Sequence, residues 1–138
     1  MQISNLLKPT HSIAALRMLV GAIFIFHASA RVYNNTLPEF GNFLNKTGFP
    51  FGYYLAWAVT LFEIAGGIAM FFRFLVKLFC IGEAIILIIG IIVVHWKNSW
   101  FEVSMSLNGI EYSIVMISIL IAIFAAERKA ERNITPLL

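Results

Sequence analysis

The segment from Tyr53 to Phe72, YYLAWAVTLFEIAGGIAMFF, constrains the fold of this chain more than any other. About 20 apolar residues are enough for a helix to cross the hydrocarbon core of a bilayer. Glu63 is the one charged residue in the segment, and a carboxylate at that depth costs at least ~2.5 kcal/mol. Thr60 and Gly67 lie on the same side of the helix, where small side chains allow another helix to approach closely. The sequence therefore predicts a helix–helix contact at Glu63.

The composition of the chain is that of an integral membrane protein with a single domain. Of its 138 residues, 60% are hydrophobic and 12% are charged, whereas soluble domains contain about 25% charged residues. The net charge of +3 is small and the basic residues are scattered, so nothing indicates nucleic-acid binding. Cys80 is the only cysteine, and an internal disulfide is therefore excluded.

The apolar segments predict an all-α membrane protein, an antiparallel bundle of four transmembrane helices. No proline interrupts residues 53–96, and a single helix of that length would be about 65 Å long, roughly twice the thickness of the hydrocarbon core. The chain must therefore turn back near Arg73 and Lys77. The predicted spans are residues 13–33, 53–72, 76–95 and 108–126, and a charged tail at 127–138 follows them.

A short amphipathic helix is predicted at residues 37–46, between the first and second spans. Thr36 and Glu39 have the spacing of a capping box, and Gly48 is typical of the position after a helix end. We expect this helix to lie at the membrane surface or over the mouth of the bundle. Its apolar face comprises Leu37, Phe40, Phe43 and Leu44.

The first span admits two interpretations. Lys8, the apolar run after it and the small residues Ala28-Ser29-Ala30 resemble a cleaved signal peptide. Arg17 and His27 interrupt the apolar run, however, which favours a retained transmembrane helix. Basic residues are more frequent on the side of the two chain ends. This distribution predicts that both termini lie in the cytoplasm.

The charged and titratable side chains within the spans are expected to form two layers, placed by the rise of 1.5 Å per helical residue. In the inner layer, Arg17 is predicted to form a structural ion pair with Glu83. Glu83 and His95 differ by about 120° around the third span, so at most one of them is expected to face the bundle centre without a bend. The outer layer comprises His27, Arg31, Glu63 and Glu111, with Arg31 and His95 as contributors at its rim.

The outer layer has chemistry available to it. An imidazole beside a carboxylate can exchange protons near neutral pH, so His27, Glu63 and Glu111 are candidates for proton exchange or for orienting a ligand. The same groups could equally hold the bundle together without any chemistry. No HxxxH or similar spacing predicts a metal site, and no phosphate loop, serine elbow or dinucleotide motif is present. No catalytic residue is therefore assigned.

Five short motifs occur along the chain in a specific order. They are Leu16-Arg17 with Gly21, His27 with Arg31, Gly48-Phe49-Pro50, Glu63 with Gly66-Gly67, and Asn108-Gly109-Ile110-Glu111-Tyr112. Together they resemble the DoxX family over roughly residues 13–126. The chain departs from the usual family pattern at Ala28, where glycine is common, at Arg31, where lysine is common, and at Phe72-Arg73-Phe74, which lacks the usual turn glycine.

The resemblance implies a four-helix bundle in the cytoplasmic membrane but leaves the activity open. Some DoxX-type proteins resemble the membrane subunit of a thiosulfate:quinone oxidoreductase. Others associate with sulfur-transfer or superoxide-detoxifying proteins, or assist the assembly of membrane and exported proteins.

Three hypotheses about function follow. The first is a redox-linked membrane subunit that handles a quinone or a partner's sulfur species and is not a complete enzyme alone. Its partners would be the lipid bilayer, another membrane or exported redox protein, and a second copy of the chain. The second is an assembly or scaffold subunit without chemistry. The third and weakest is passage of protons or small solutes.

Overall fold

The computed structural model describes residues 9–95 and 110–134, with the backbone alone for residues 94–95 and 131–134. Within these ranges the chain is helical and contains no strand. The third spanning helix ends in a π-helical turn, Ile91–His95, in which the backbone is more loosely wound than in an α-helix. The helices are α1 Pro9–Tyr33, α2 Leu37–Lys46, α3 Gly52–Phe71, α4 Val76–Gly90 and α5 Ile110–Ile134.

Four of these helices, α1, α3, α4 and α5, are long and apolar enough to cross a membrane. They pack as a ring, since α1 contacts α3 and α5, and α4 contacts the same two helices. The expectation of an all-α membrane bundle is therefore confirmed. The helix α5 continues to Ile134, beyond the predicted end of the span at residue 126, because the alanines and charged residues after it favour helix.

The helix α2 packs against the start of α3. Leu37 and Leu44 are buried with Ala56 of α3 in a small hydrophobic cluster. The amide of Gly52 donates to Asn45 Oδ1 at 2.8 Å, which fixes the chain between the two helices. Whether α2 lies at the membrane surface or over the mouth of the bundle stays a prediction.

The predicted capping box at the start of α2 is not formed. Thr36 makes no side-chain cap, and its hydroxyl donates instead to Arg31 O at 3.2 Å. Because the connection between α1 and α2 is short, the carbonyl of Arg31 near the end of α1 lies close enough to accept the hydrogen bond of the Thr36 hydroxyl, which then does not cap α2. The end of α2 follows the expectation, because Gly48 has a φ of +98°.

The turn from α3 to α4 is made without glycine. Arg73 has a φ of +56° and Leu75 a φ of +47°, a left-handed conformation that costs a residue with a Cβ roughly 1–2 kcal/mol. The side chain of Arg73 reaches α5, where its Nε lies 3.1 Å from Glu127 Oε2. The turn is therefore strained in its backbone and connected by an ion pair to the end of the last helix.

The helices α1 and α3 approach each other most closely at two glycines. A Cβ added to Gly67 would lie 2.6 Å from Gly21 O, and one added to Gly21 would lie 2.7 Å from Gly67 O. These distances leave no room for any side chain other than hydrogen. Gly67 lies one turn from Glu63, so the close approach brings the backbone of α1 to the level of the acid.

Candidate functional site

An ion pair joins α1 to α3 inside the bundle. Arg31 Nη1 lies 2.9 Å from Glu63 Oε2, and Nη2 lies 3.5 Å from Oε1. The same Nη1 donates to Thr60 Oγ1 at 2.7 Å, and the Thr60 hydroxyl donates to Ala56 O at 2.8 Å. Thr60 and Glu63 are buried and lie about one turn apart on α3. The helix α3 therefore presents both acceptors to the arginine of α1.

The guanidinium of Arg31 is covered by an aromatic ring from α2. Its Cζ lies 4.9 Å from the centre of the Phe40 ring, within the range in which the ring face attracts a cation. Phe40 belongs to the apolar face predicted for α2. The amphipathic helix therefore contributes directly to the environment of the ion pair.

A second acid, Glu83 of α4, is fully buried. We refer to Glu63, Glu83 and Arg31 together as the acid cluster. Neither carboxyl oxygen of Glu83 has a hydrogen-bond partner among the residues that the structure describes. A Cβ on Gly66 would lie 3.0 Å from Glu83 Oε1, so this glycine of α3 leaves the space that the carboxyl group occupies. Glu83 is also close enough to Glu63 and Arg31 for their charges to interact.

His27 and Tyr112 border the cluster where α1 meets α5. The centres of their rings are 5.7 Å apart and the rings are tilted by 48°. The charges of Glu63 and Glu83 act on Tyr112, and His27 interacts electrostatically with Glu63. Since His27 is exposed and Tyr112 is half-buried, these two side chains lie between the surface of the bundle and its buried acids.

The DoxX family profile matches residues 12–96, which is more than half of the chain. The chain belongs to the DoxX family. The match covers α1 to α4, and with them Arg31, Glu63 and Glu83. Tyr112 and the motif that begins at Asn108 lie beyond it. No functionally curated protein and no solved structure matches this DoxX chain.

The inner ion pair predicted for this DoxX protein is not formed. Arg17 Nη1 donates to Met70 O at 2.7 Å rather than to Glu83. Met70 lies in the last turn of α3, where carbonyl groups lack a partner within their own helix. The arginine therefore satisfies a helix end, and Glu83 lies opposite Gly66. The depth of the Cα atoms along straight helices could not predict this partner, because the long side chain of Arg17 extends to a level in the bundle different from that of its own Cα.

The outer layer is assembled only in part. Arg31 and Glu63 meet, and His27 lies beside them. Glu111 is exposed and forms no hydrogen bond or ion pair with any of these groups within the described residues. The side chain of His95 lies outside those residues. Glu83, one of the two groups expected to compete for the bundle centre, is buried.

Sequence reasoning missed the contribution of Tyr112 to this DoxX site. Its signal is the Gly-x-Glu-Tyr motif at the start of the fourth span, in which only the glutamate was considered a candidate. Neighbours along a helix point about 100° apart, so an exposed Glu111 leaves Tyr112 turned toward the bundle. Among residues 9–95 and 110–134, no three His, Cys, Asp or Glu side chains are arranged to hold a metal ion.

Proposed function

We propose that this DoxX protein is a small integral membrane subunit of a redox-linked system, in which the buried acids bind and release a proton beside the polar head group of a quinone. The observation that supports the proposal most is the carboxyl group of Glu83, which is fully buried next to an ion pair and has no hydrogen-bond donor within the described part of the chain. We infer that the protein acts together with another membrane or exported redox protein rather than as a complete enzyme.

The electrostatics of the cluster favour a bound proton. Glu63 is paired with the guanidinium of Arg31, and Glu83 interacts with the same guanidinium only through its charge. Glu63 accepts two hydrogen bonds from this guanidinium and Thr60 a third, and a second ionised carboxylate without a donor would be costly in a buried site. Glu83 is therefore best accommodated as the neutral acid, whose O–H can be donated to an acceptor that enters the site.

The border of the cluster supplies a path for that proton. His27 is the exposed member, with the Tyr112 ring beside it, and histidine exchanges protons readily near neutral pH. The residues also fit a quinone head group, because its carbonyl oxygens are acceptors and Tyr112, His27 and the neutral acid are donors. A quinone would supply the electron-accepting chemistry when bound.

The experiment is infrared difference spectroscopy of the purified protein in nanodiscs, combined with binding of a short-chain quinone. We expect a carbonyl band of a protonated carboxylic acid that disappears in Glu83→Gln. Quinone affinity should fall about tenfold in Glu83→Leu, which removes the donor, because one hydrogen bond to the quinone is lost and a glutamine amide could still supply one. Glu39→Gln, a substitution at an exposed position of α2, should change neither. A band that survives Glu83→Gln together with unchanged binding in Glu83→Leu would refute the proposal.

A second candidate function, a non-catalytic assembly or scaffold subunit, is favoured by a different observation. Arg31 is fully engaged by Glu63, Thr60 and the Phe40 ring, as in a structural cross-link between helices. If this function is the correct one, Glu63→Gln lowers the protein level or the yield of a complex. The folded wild-type protein would then bind no quinone. The two candidates are thus separated by the quinone titration of the wild-type protein.

A further inference from the structure

A cavity of about 400 Å³ lies at the end of the bundle opposite to α2, apart from the acid cluster. Its wall is formed by the beginning of α1, the end of α5 and the turn between α3 and α4. Three basic side chains line it, those of Arg17, Arg73 and Lys129, and one acid, Glu127. Since Glu127 is paired with Arg73, the positive charges of the other two residues have no counter-ion among the described residues that line the cavity.

Arg17 is the buried member of this set, with 8% of its surface exposed. Its one hydrogen bond within the described part of the chain goes to the carbonyl of Met70, which is neutral and leaves the charge uncompensated. A guanidinium has five N–H donors in a planar fork that matches the oxygens of a phosphate. The remaining donors of Arg17 are therefore available to an anion in the cavity.

Apart from Thr10, the rest of the lining is apolar. Ile13, Ala14 and Ala126 belong to it, and they lie on helices that cross the membrane. A ligand that suits the cavity thus carries a negative head group and an apolar part that continues along the helices. The cavity lies at the ends of three spanning helices, the level at which lipid head groups meet a membrane protein.

We propose that this cavity binds the phosphate group of an anionic phospholipid, with Arg17 and Lys129 as its ligands and Arg73 at its edge. The phosphate oxygens accept from the Arg17 guanidinium and the Lys129 ammonium, and the acyl chains lie against the apolar surface of α1 and α5. The site is independent of the proposed redox function, because none of its residues belongs to the acid cluster.

The test is a lipid titration of the delipidated protein, followed by native mass spectrometry, with phosphatidylglycerol and phosphatidylcholine of the same chain length. We expect phosphatidylglycerol to bind about tenfold more tightly. Lys129→Gln should reduce this preference severalfold, and Arg17→Gln should reduce it at least as much. Glu127→Gln should strengthen binding, because it frees Arg73 from its acidic partner. Lys46→Gln, which removes a lysine from α2 at the other end of the bundle, should have no effect.

Three outcomes would overturn the proposal. The first is equal binding of the two lipids by the wild-type protein. The second is a loss in Lys46→Gln as large as that in Lys129→Gln, which would indicate general electrostatic attraction. The third arises in a parallel titration with inorganic phosphate: saturation by free phosphate without any preference for phosphatidylglycerol would identify a soluble anion as the ligand. Because Lys129 is exposed, its variant reports on binding even where Arg17→Gln fails to fold.

Discussion

Arg31 on α1 and Glu63 on α3 form an ion pair at 2.9 Å, with 21% and 9% of their side chains exposed. Removal of one partner leaves an uncompensated charge inside the bundle. We therefore expect Arg31→Gln or Glu63→Gln to lower the free energy of unfolding by about 3 kcal/mol. The double variant should be milder than the sum of the two, because it leaves no charge behind.

Reversible unfolding in mixed micelles measures these free energies. Arg73→Gln is the matched control, because 57% of the Arg73 side chain is exposed in its ion pair with Glu127 and this pair should contribute less than ~1 kcal/mol. Additive effects of Arg31→Gln and Glu63→Gln would show that the two groups do not stabilise each other.

The contact between Gly21 and Gly67 predicts a strong effect of a single methyl group. In Gly67→Ala the new Cβ would meet the backbone oxygen of Gly21, which cannot move aside without displacing α1. We expect a loss of about 1–3 kcal/mol in the free energy of unfolding. Gly90→Ala on α4 is the control, since nothing lies within 4 Å of its added Cβ. That variant should be neutral or more stable by about 0.5–1 kcal/mol, and an equal loss in both variants would contradict the close approach.

Gly66 tests the position of the Glu83 carboxyl group. A Cβ at Gly66 would lie 2.8 Å from the Phe79 ring and 3.0 Å from Glu83 Oε1. Gly66→Ala should therefore destabilise the protein by about 1–3 kcal/mol. The loss should shrink by at least ~0.5 kcal/mol in a Glu83→Ala background, where the carboxyl group is gone. Thermal unfolding of the four proteins in one detergent gives this coupling, and a coupling of zero would place the carboxyl group elsewhere.

The turn between α3 and α4 offers a stabilising substitution. Leu75 has a left-handed backbone and is half exposed, so glycine at this position removes a strain of roughly 1–2 kcal/mol. Phe72 in the same turn is also exposed and apolar, but its φ is −84°. We expect Leu75→Gly to have a higher melting temperature than Phe72→Gly. The opposite order would argue against the left-handed turn.

The orientation in the membrane stays a prediction from the distribution of basic residues. Arg73 and Lys129 lie at one end of the bundle with the beginning of α1, and that end is expected to face the cytoplasm. A reporter that is active only outside the cytoplasm should be silent when fused after α5. Activity of that fusion would reverse the orientation.

Much of the fold could be predicted from the sequence because the bilayer leaves few alternatives. The lengths of the apolar segments determine the spans. Residues 53–96 contain no proline, and one uninterrupted helix of that length would be too long for the bilayer, so the chain must turn near Arg73. The end of α5 was less predictable. The residues after 126 favour helix although they are no longer apolar, so a helix end predicted from hydrophobicity comes too early.

The sequence predicted the buried position of Glu63, but it did not predict the partner of Arg17 or the contribution of Tyr112. Glu63 was expected at a helix contact because a carboxylate in lipid is costly, and its glycine neighbours indicated a closely approaching helix. The partner of Arg17 could not be derived, since a backbone carbonyl at a helix end leaves no mark in the sequence. Tyr112 was overlooked because a tyrosine at the start of a span is equally typical of the membrane interface.

Two arginines of α1 fasten that helix to α3 at two depths, Arg31 through Glu63 and Arg17 through the carbonyl of Met70. The contact between α4 and α5 is apolar, with Cys80 and Leu120 in its core. The bundle thus consists of one helix pair, α1 with α3, joined by polar bonds, and one pair, α4 with α5, joined by apolar contacts. Glu63 and His27 belong to the first pair, and Glu83 and Tyr112 to the second. None of the hydrogen bonds of Arg17 and Arg31 crosses from one pair to the other among the described residues, so the two acids face each other across a boundary that these bonds do not bridge.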